Sequence, residues 1–160
     1  MQKDIISSGK YAVSEAGPRV MEAYLGTCLG ITLCDAQNGL AGLIHLLLPE
    51  PTGTNVAFHN ATYASTGIPH FIGALCAAGA SMENLRACIA GGALIGPVSE
   101  QDLSLDIGGR SAEIAQDILQ KSHIPVVMAE VGGYFGCRLR LDLSTLETGI
   151  KPLYTSEAPP

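Results

Sequence analysis

With 160 residues, 47% apolar and 15% charged, the chain is the size of one domain and buries roughly 70% of the surface its unfolded form exposes, which excludes a disordered or fibrous protein. Fifteen acidic against nine basic residues give a net charge of −6, and no basic cluster stands out in the sequence, so nucleic acid is not an expected partner. The start, Met1-Gln2-Lys3-Asp4, has no apolar signal region, and the longest apolar run, 39–49, is about half a membrane span. Five cysteines without a CxxC pair fit reduced thiols in a cytoplasmic protein with no membrane insertion.

Nothing repeats and no linker divides the chain, so 1–160 reads as a single domain with a frayed tail at 156–160. Strands are expected at Tyr11–Ser14, Pro18–Leu25, Leu29–Cys34 and Leu40–Leu48, the last two joined through Asn38-Gly39, a strong hairpin signal. A loop follows over 50–60. Ile68, Phe71, Ile72 and Leu75 recur at helical spacing, and Pro69 sets the expected helix start near itself, since proline is tolerated only in a first turn.

Leu85–Ala90 and Ile124–Glu130 read as strands, with a helix between them capped by Ser111 and facing inward through Ala112, Ala115, Ile118 and Leu119. Cys137–Leu143 alternates apolar and charged residues, the pattern of a sheet with one wet face, and a short strand follows at Ile150–Tyr154 after a turn at Thr148-Gly149. Strands outnumber helices. The expected class is α+β, a sandwich rather than a regular βαβ wind.

The glycine pairs Gly91-Gly92, Gly108-Gly109 and Gly132-Gly133 form no nucleotide fingerprint and read as close backbone packing. His59, His70 and His123 are scattered, so no metal site is expected. Cys34, Cys76 and Cys88 sit in apolar elements as small hydrophobes.

Cys28 is different. Gly26 and Thr27 let the chain bend just before it and present backbone N–H groups suited to an oxyanion, and His45 lies on the partner strand. A two-residue turn would set Cys28 about 13 Å along the strand from His45, whereas a four-residue loop at 36–39 sets it diagonal to His45, about 7–8 Å away at the backbone. Both registers put the two side chains on one face. Read from the residues alone, they are either a core cysteine with a satisfied histidine or a nucleophile with its base.

Leu25-Gly26-Thr27-Cys28 followed by "HLLLPEP" at 45–51 resembles the CheD family of chemoreceptor glutamine deamidases. The likeness continues through Tyr63-Ala64, "IAGGA" at 89–93, Gly108 with Arg110, Gly132-Gly133 and Thr148-Gly149. The resemblance implies a β-sandwich flanked by helices in α/β/β/α layers, similar to toxin deamidases. It also implies a cysteine hydrolase, a protein-glutamine glutaminase, that converts receptor glutamines to glutamate with Cys28 as nucleophile and His45 as base. No metal or organic cofactor is needed.

Implied partners are the cytoplasmic helices of chemoreceptors as substrate, with a chemotaxis phosphatase as a further one. Where the family carries a threonine six positions before the cysteine, this chain has Glu22, expected to hydrogen-bond His45 and raise its pKa, so that Cys28 becomes a low-pKa thiol. Ser65, Ser111, Glu130 and Cys137 also depart from the family pattern. Two competing readings are an adaptor with little turnover that binds receptor or phosphatase, and hydrolysis of receptor methyl esters by the same thiol.

Overall fold

The computed structural model describes residues 2–51, 61–94 and 106–153. The expected 156–160 tail, and 52–60 of the expected loop, lie outside them. Among the described residues nine strands and two α-helices follow in the order β1 (Gln2–Ile5), β2 (Lys10–Glu15), β3 (Arg19–Leu25), β4 (Leu29–Asp35), β5 (Leu40–Leu46), α1 (Ala64–Ala77), β6 (Arg86–Gly91), α2 (Ile107–Lys121), β7 (Val126–Val131), β8 (Cys137–Asp142) and β9 (Glu147–Pro152), with a 3-10 turn at Met82–Asn84.

The strands form two sheets, β1-β3-β8-β9 and β2-β5-β4-β6-β7, each mixed because β1–β3 and β6–β7 pair in parallel. β4 and β5 are buried along nearly their whole length, because one face meets the helices and the other meets the second sheet. The helix side is filled by Leu29, Ile31, Leu33, Ile44, Leu46 and Ile89 against Ile68, Phe71, Leu75, Ala115 and Leu119. Met21, Ala23, Leu25, Leu43, Leu139 and Leu141 fill the space between the sheets. Each large aliphatic buried this way contributes about 1.5–3 kcal/mol.

The α+β sandwich flanked by helices is thus the observed class. Both helices pack on the five-stranded sheet, so among the described residues the layers run α/β/β, and no second helical layer covers the four-stranded sheet. No described helix is long and apolar enough to cross a membrane.

Several boundaries differ from expectation. α1 begins at Ala64 with Pro69 inside it, because Ala64, Gly67 and Ile68 are already buried and their packing offsets the backbone bond that proline removes. α2 is capped by Asp106, whose Oδ1 accepts from the Gly109 N–H at 2.9 Å; Ser111 is a buried interior residue. β9 starts at Glu147, since the turn falls at 143–146 with Leu146 at φ 59°. β1 had no sequence signal; Gln2–Ile5 is short, polar and held only along one edge of β3.

Candidate active site

Asp35 pairs with Leu40 and Gly30 with His45, so four residues, 36–39, close the β4–β5 hairpin, with Gly39 at φ 65°. Asp35 holds the loop by accepting from the Asn38 N–H at 3.0 Å. This is the register that continues Cys28 opposite Leu47 and diagonal to His45. Cys28 packs against the cluster between the sheets, and His45 shares strand parity with Ala41 and Leu43 of that cluster. The two residues therefore lie on one face of the hairpin, at its open end.

The bend 26–28 is fixed by β6. The Gly92 N–H donates to the Cys28 carbonyl at 2.9 Å and the Ala93 N–H to the Gly26 carbonyl at 3.0 Å. A trans peptide sets its N–H opposite its C=O, so anchoring the Gly26 carbonyl on Ala93 turns the Thr27 N–H away from β6. Gly91, at φ 99°, fits against this bend only as glycine: a Cβ there would sit 2.2 Å from the Cys28 carbonyl oxygen. A Cβ on Gly108 would overlap Gly92, so the first turn of α2 backs the same support. Close packing is confirmed for Gly91, Gly92 and Gly108. Gly132 and Gly133 instead serve backbone turns at φ 85° and 75°, with open space around them.

His45 is 5% exposed, and its Nδ1 lies 2.8 Å from the Ile6 carbonyl. A carbonyl only accepts, so Nδ1 carries the proton and Nε2 keeps its lone pair. Ile6 is itself fixed by its N–H to the Glu22 carbonyl at 2.7 Å. The group that orients the ring is therefore the main chain just past β1. Sequence reasoning missed it, since any residue type can supply a carbonyl.

Glu22 is not that group, which corrects the expected triad. Met21, Ala23 and Leu25 point between the sheets, so Glu22 points to the opposite face of β3, away from the side on which His45 lies. Its carboxylate is fully buried beneath Lys3 at 3.2 Å, Arg138 at 3.8 Å and Arg140 at 3.9 Å, with the Tyr24 hydroxyl donating at 3.4 Å. Removing the carboxylate that these three cations share, with Asp142 still near Arg140, costs up to about 3 kcal/mol, since breaking such buried pairing is unfavourable. Glu22→Gln should lower the urea midpoint while the pH profile of Cys28 alkylation stays unchanged. A shifted alkylation profile would restore the triad.

The expected low-pKa thiol is corrected as well. Burial pushes the Cys28 thiol above its ordinary value, and among the described residues no cation offsets it. Burial also holds His45 below its ordinary range, with the Ile6 carbonyl partly opposing the shift. At rest, the Cys28 thiol and the His45 imidazole are thus both neutral at neutral pH. Two further thiols are no better placed: burial and the neighbouring Cys88 push Cys34 up to about 12, while Cys137 is raised by burial and by Glu130.

A depressed histidine pKa has a definite sign. The contribution of neutral His45 to stability is fully present above pH about 6.5 and is lost as pH falls through its lower folded value. Urea midpoints measured from about pH 7.5 to 5 should fall on the acid side, and His45→Gln should remove that part of the slope.

A cavity of about 260 Å³ adjoins the bend, lined by Gly91, Glu130, Phe135, Cys137 and Ile150 among others. Tyr134, 61% exposed, stands in its lining. The motif words of the resemblance meet in space: Glu50 accepts from the Arg110 Nε at 2.7 Å, joining the segment after β5 to α2. Among the described residues no group of three or more His, Cys, Asp or Glu is arranged to hold a metal.

The family model described as CheD chemotactic sensory transduction matches residues 47–152. The chain is 34% identical to a probable chemoreceptor glutamine deamidase of Clostridium tetani over 82% of this chain and 80% of that one. The proteins of the same description from Haloarcula marismortui and Thermococcus kodakarensis are 35% and 36% identical, each over 88% of this chain and over 79% and 86% of their own. The chain therefore belongs to the CheD family of chemotactic sensory transduction proteins.

Proposed function

We propose that this protein is a cytoplasmic, cysteine-dependent deamidase that converts glutamine side chains of chemoreceptors to glutamate. The observation that carries the mechanism is the His45 ring, whose Nδ1–H is committed to the Ile6 carbonyl and whose Nε2 is left as a base on the face that Cys28 shares.

Because thiol and imidazole are both neutral at rest, the proton moves during attack rather than before it. His45 Nε2 takes the Cys28 proton as sulfur bonds to the carboxamide carbon. Electron density shifts to the amide oxygen, which the N–H groups of Thr27 and Cys28 receive; the anchored bend holds them ready without reorganisation. The intermediate collapses as the imidazolium returns its proton to the leaving nitrogen, and ammonia departs. Water, deprotonated by His45, then cleaves the thioester, yielding glutamate and the free thiol. Amide and water become acid and ammonia, so the balance closes without a redox partner. The cavity beside Gly91, with Phe135 and Tyr134 at its wall, offers an apolar surface for the backbone that carries the glutamine.

The test is ammonia release from a purified cytoplasmic chemoreceptor fragment, with mass mapping of the converted glutamines. Stoichiometric release with mapped sites is expected. Binding of the fragment without ammonia would favour the adaptor, and methanol release from a methylated fragment would favour ester hydrolysis.

A further inference from the structure

The outer face of the four-stranded sheet carries an uneven distribution of charge. Strand parity turns Lys3, Glu22, Tyr24, Arg138, Arg140 and Lys151 outward, since Met21, Ala23, Leu25, Leu139, Leu141 and Ile150 point into the core. Tyr24, Arg138 and Lys151 form one row across β3, β8 and β9. The next row is Leu25, Cys137 and Pro152, and after Leu25 the chain enters the bend that carries Cys28. The acidic pair Asp142–Glu147 closes the other end of the face. Arg138 and Lys151 thus stand at the nucleophile's end with Arg140 one row behind, while Lys3 stands in the acidic row, on a chain whose net charge is −6.

Lys151 is the telling member. It is exposed, stands directly opposite Arg138, and forms no ion pair among the described residues. Like charges opposite each other on a sheet are unfavourable. Glu22 already has three cations and is buried beneath them, so it gives Lys151 no carboxylate to reach. Arg138 and Arg140 keep 29% and 42% of their side chains exposed, and Tyr24 is 48% exposed. No described helix covers the face.

We propose that this cationic face docks the acidic residues flanking a target glutamine, including the glutamates that deamidation itself creates. The inference rests on the deamidase reading for its substrate. Each turnover turns a neutral carboxamide into a carboxylate, so a segment with several targets gains charge as it is processed. Lys151, with Arg138 and Arg140, then holds the converted segment more firmly than the unconverted one. It determines specificity without touching the reacting atoms.

The experiment measures dissociation constants of a cytoplasmic chemoreceptor fragment with Cys28→Ala protein, which cannot turn over, at low and physiological ionic strength. A second fragment carries glutamate in place of its glutamines, and ammonia release by the parent chain is followed in parallel. Binding should weaken with salt and favour the glutamate form. Lys151→Glu should raise the dissociation constant about threefold or more and abolish that preference, while Lys151→Arg retains both. Equal affinities for both variants and both fragments, or no binding, would overturn the docking face even if ammonia is released. Charge-dependent binding without ammonia release would instead remove the deamidase reading and leave the face standing.

Discussion

Cys28→Ala is expected to lower the deamidation rate by at least about 10⁴-fold, because the thioester route needs the sulfur and nothing else in the site replaces it. His45→Ala should lose nearly as much, and the double variant little more than either alone, since nucleophile and base act as one unit. The folded state should survive both. Cys28 is only partly buried at the margin of the inter-sheet cluster, and its removal deletes one sulfur's worth of packing. Rates of the three variants, with thermal unfolding as the control, check this. Additive losses would mean that the two residues work separately.

Gly91→Ala carries the second large effect. The added methyl must fit 2.2 Å from the Cys28 carbonyl oxygen, on a backbone at φ 99°. Overpacking and left-handed strain together cost about 2–4 kcal/mol. The added methyl presses on the Cys28 carbonyl that Gly92 anchors, and a displacement of Cys28 near 1 Å costs about 100-fold in rate. Gly39→Ala, in the turn at the far end of the β4–β5 hairpin, is the matched control. It bears left-handed strain at φ 65° but meets only the Ala16 Cβ at 3.9 Å, so it should lose only about 1 kcal/mol of stability and leave the rate nearly unchanged. Equal losses in the two variants would show that strain, not displacement of Cys28, sets the effect.

Local chemistry made the hairpin legible. Asn38-Gly39 marked the turn, and the apolar runs on either side had to be buried on both faces. Alternation in 137–142 likewise identified a strand with one wet face, borne out by the outward Arg138 and Arg140. Glu22 shows what such patterns do not carry. Periodicity gives two faces to a strand but not the sheet it joins, and the bend at 26–28 breaks any count of parity from Cys28 back to position 22. The Ile6 carbonyl was hidden for a different reason: a main-chain acceptor leaves no trace in residue type. The thiol's pKa depended on burial, which spacing does not reveal.

The central claim is that Cys28 forms a thioester with a receptor glutamine while His45 carries the proton. Acid quenching of the parent chain during turnover with a cytoplasmic chemoreceptor fragment, followed by mass mapping, tests it directly. The mechanism predicts a fragment peptide joined through its glutamine carbonyl to the peptide containing Cys28, appearing before ammonia release reaches steady state and missing in Cys28→Ala. Ammonia release that continues in Cys28→Ala, with no adduct on the parent chain, would contradict it.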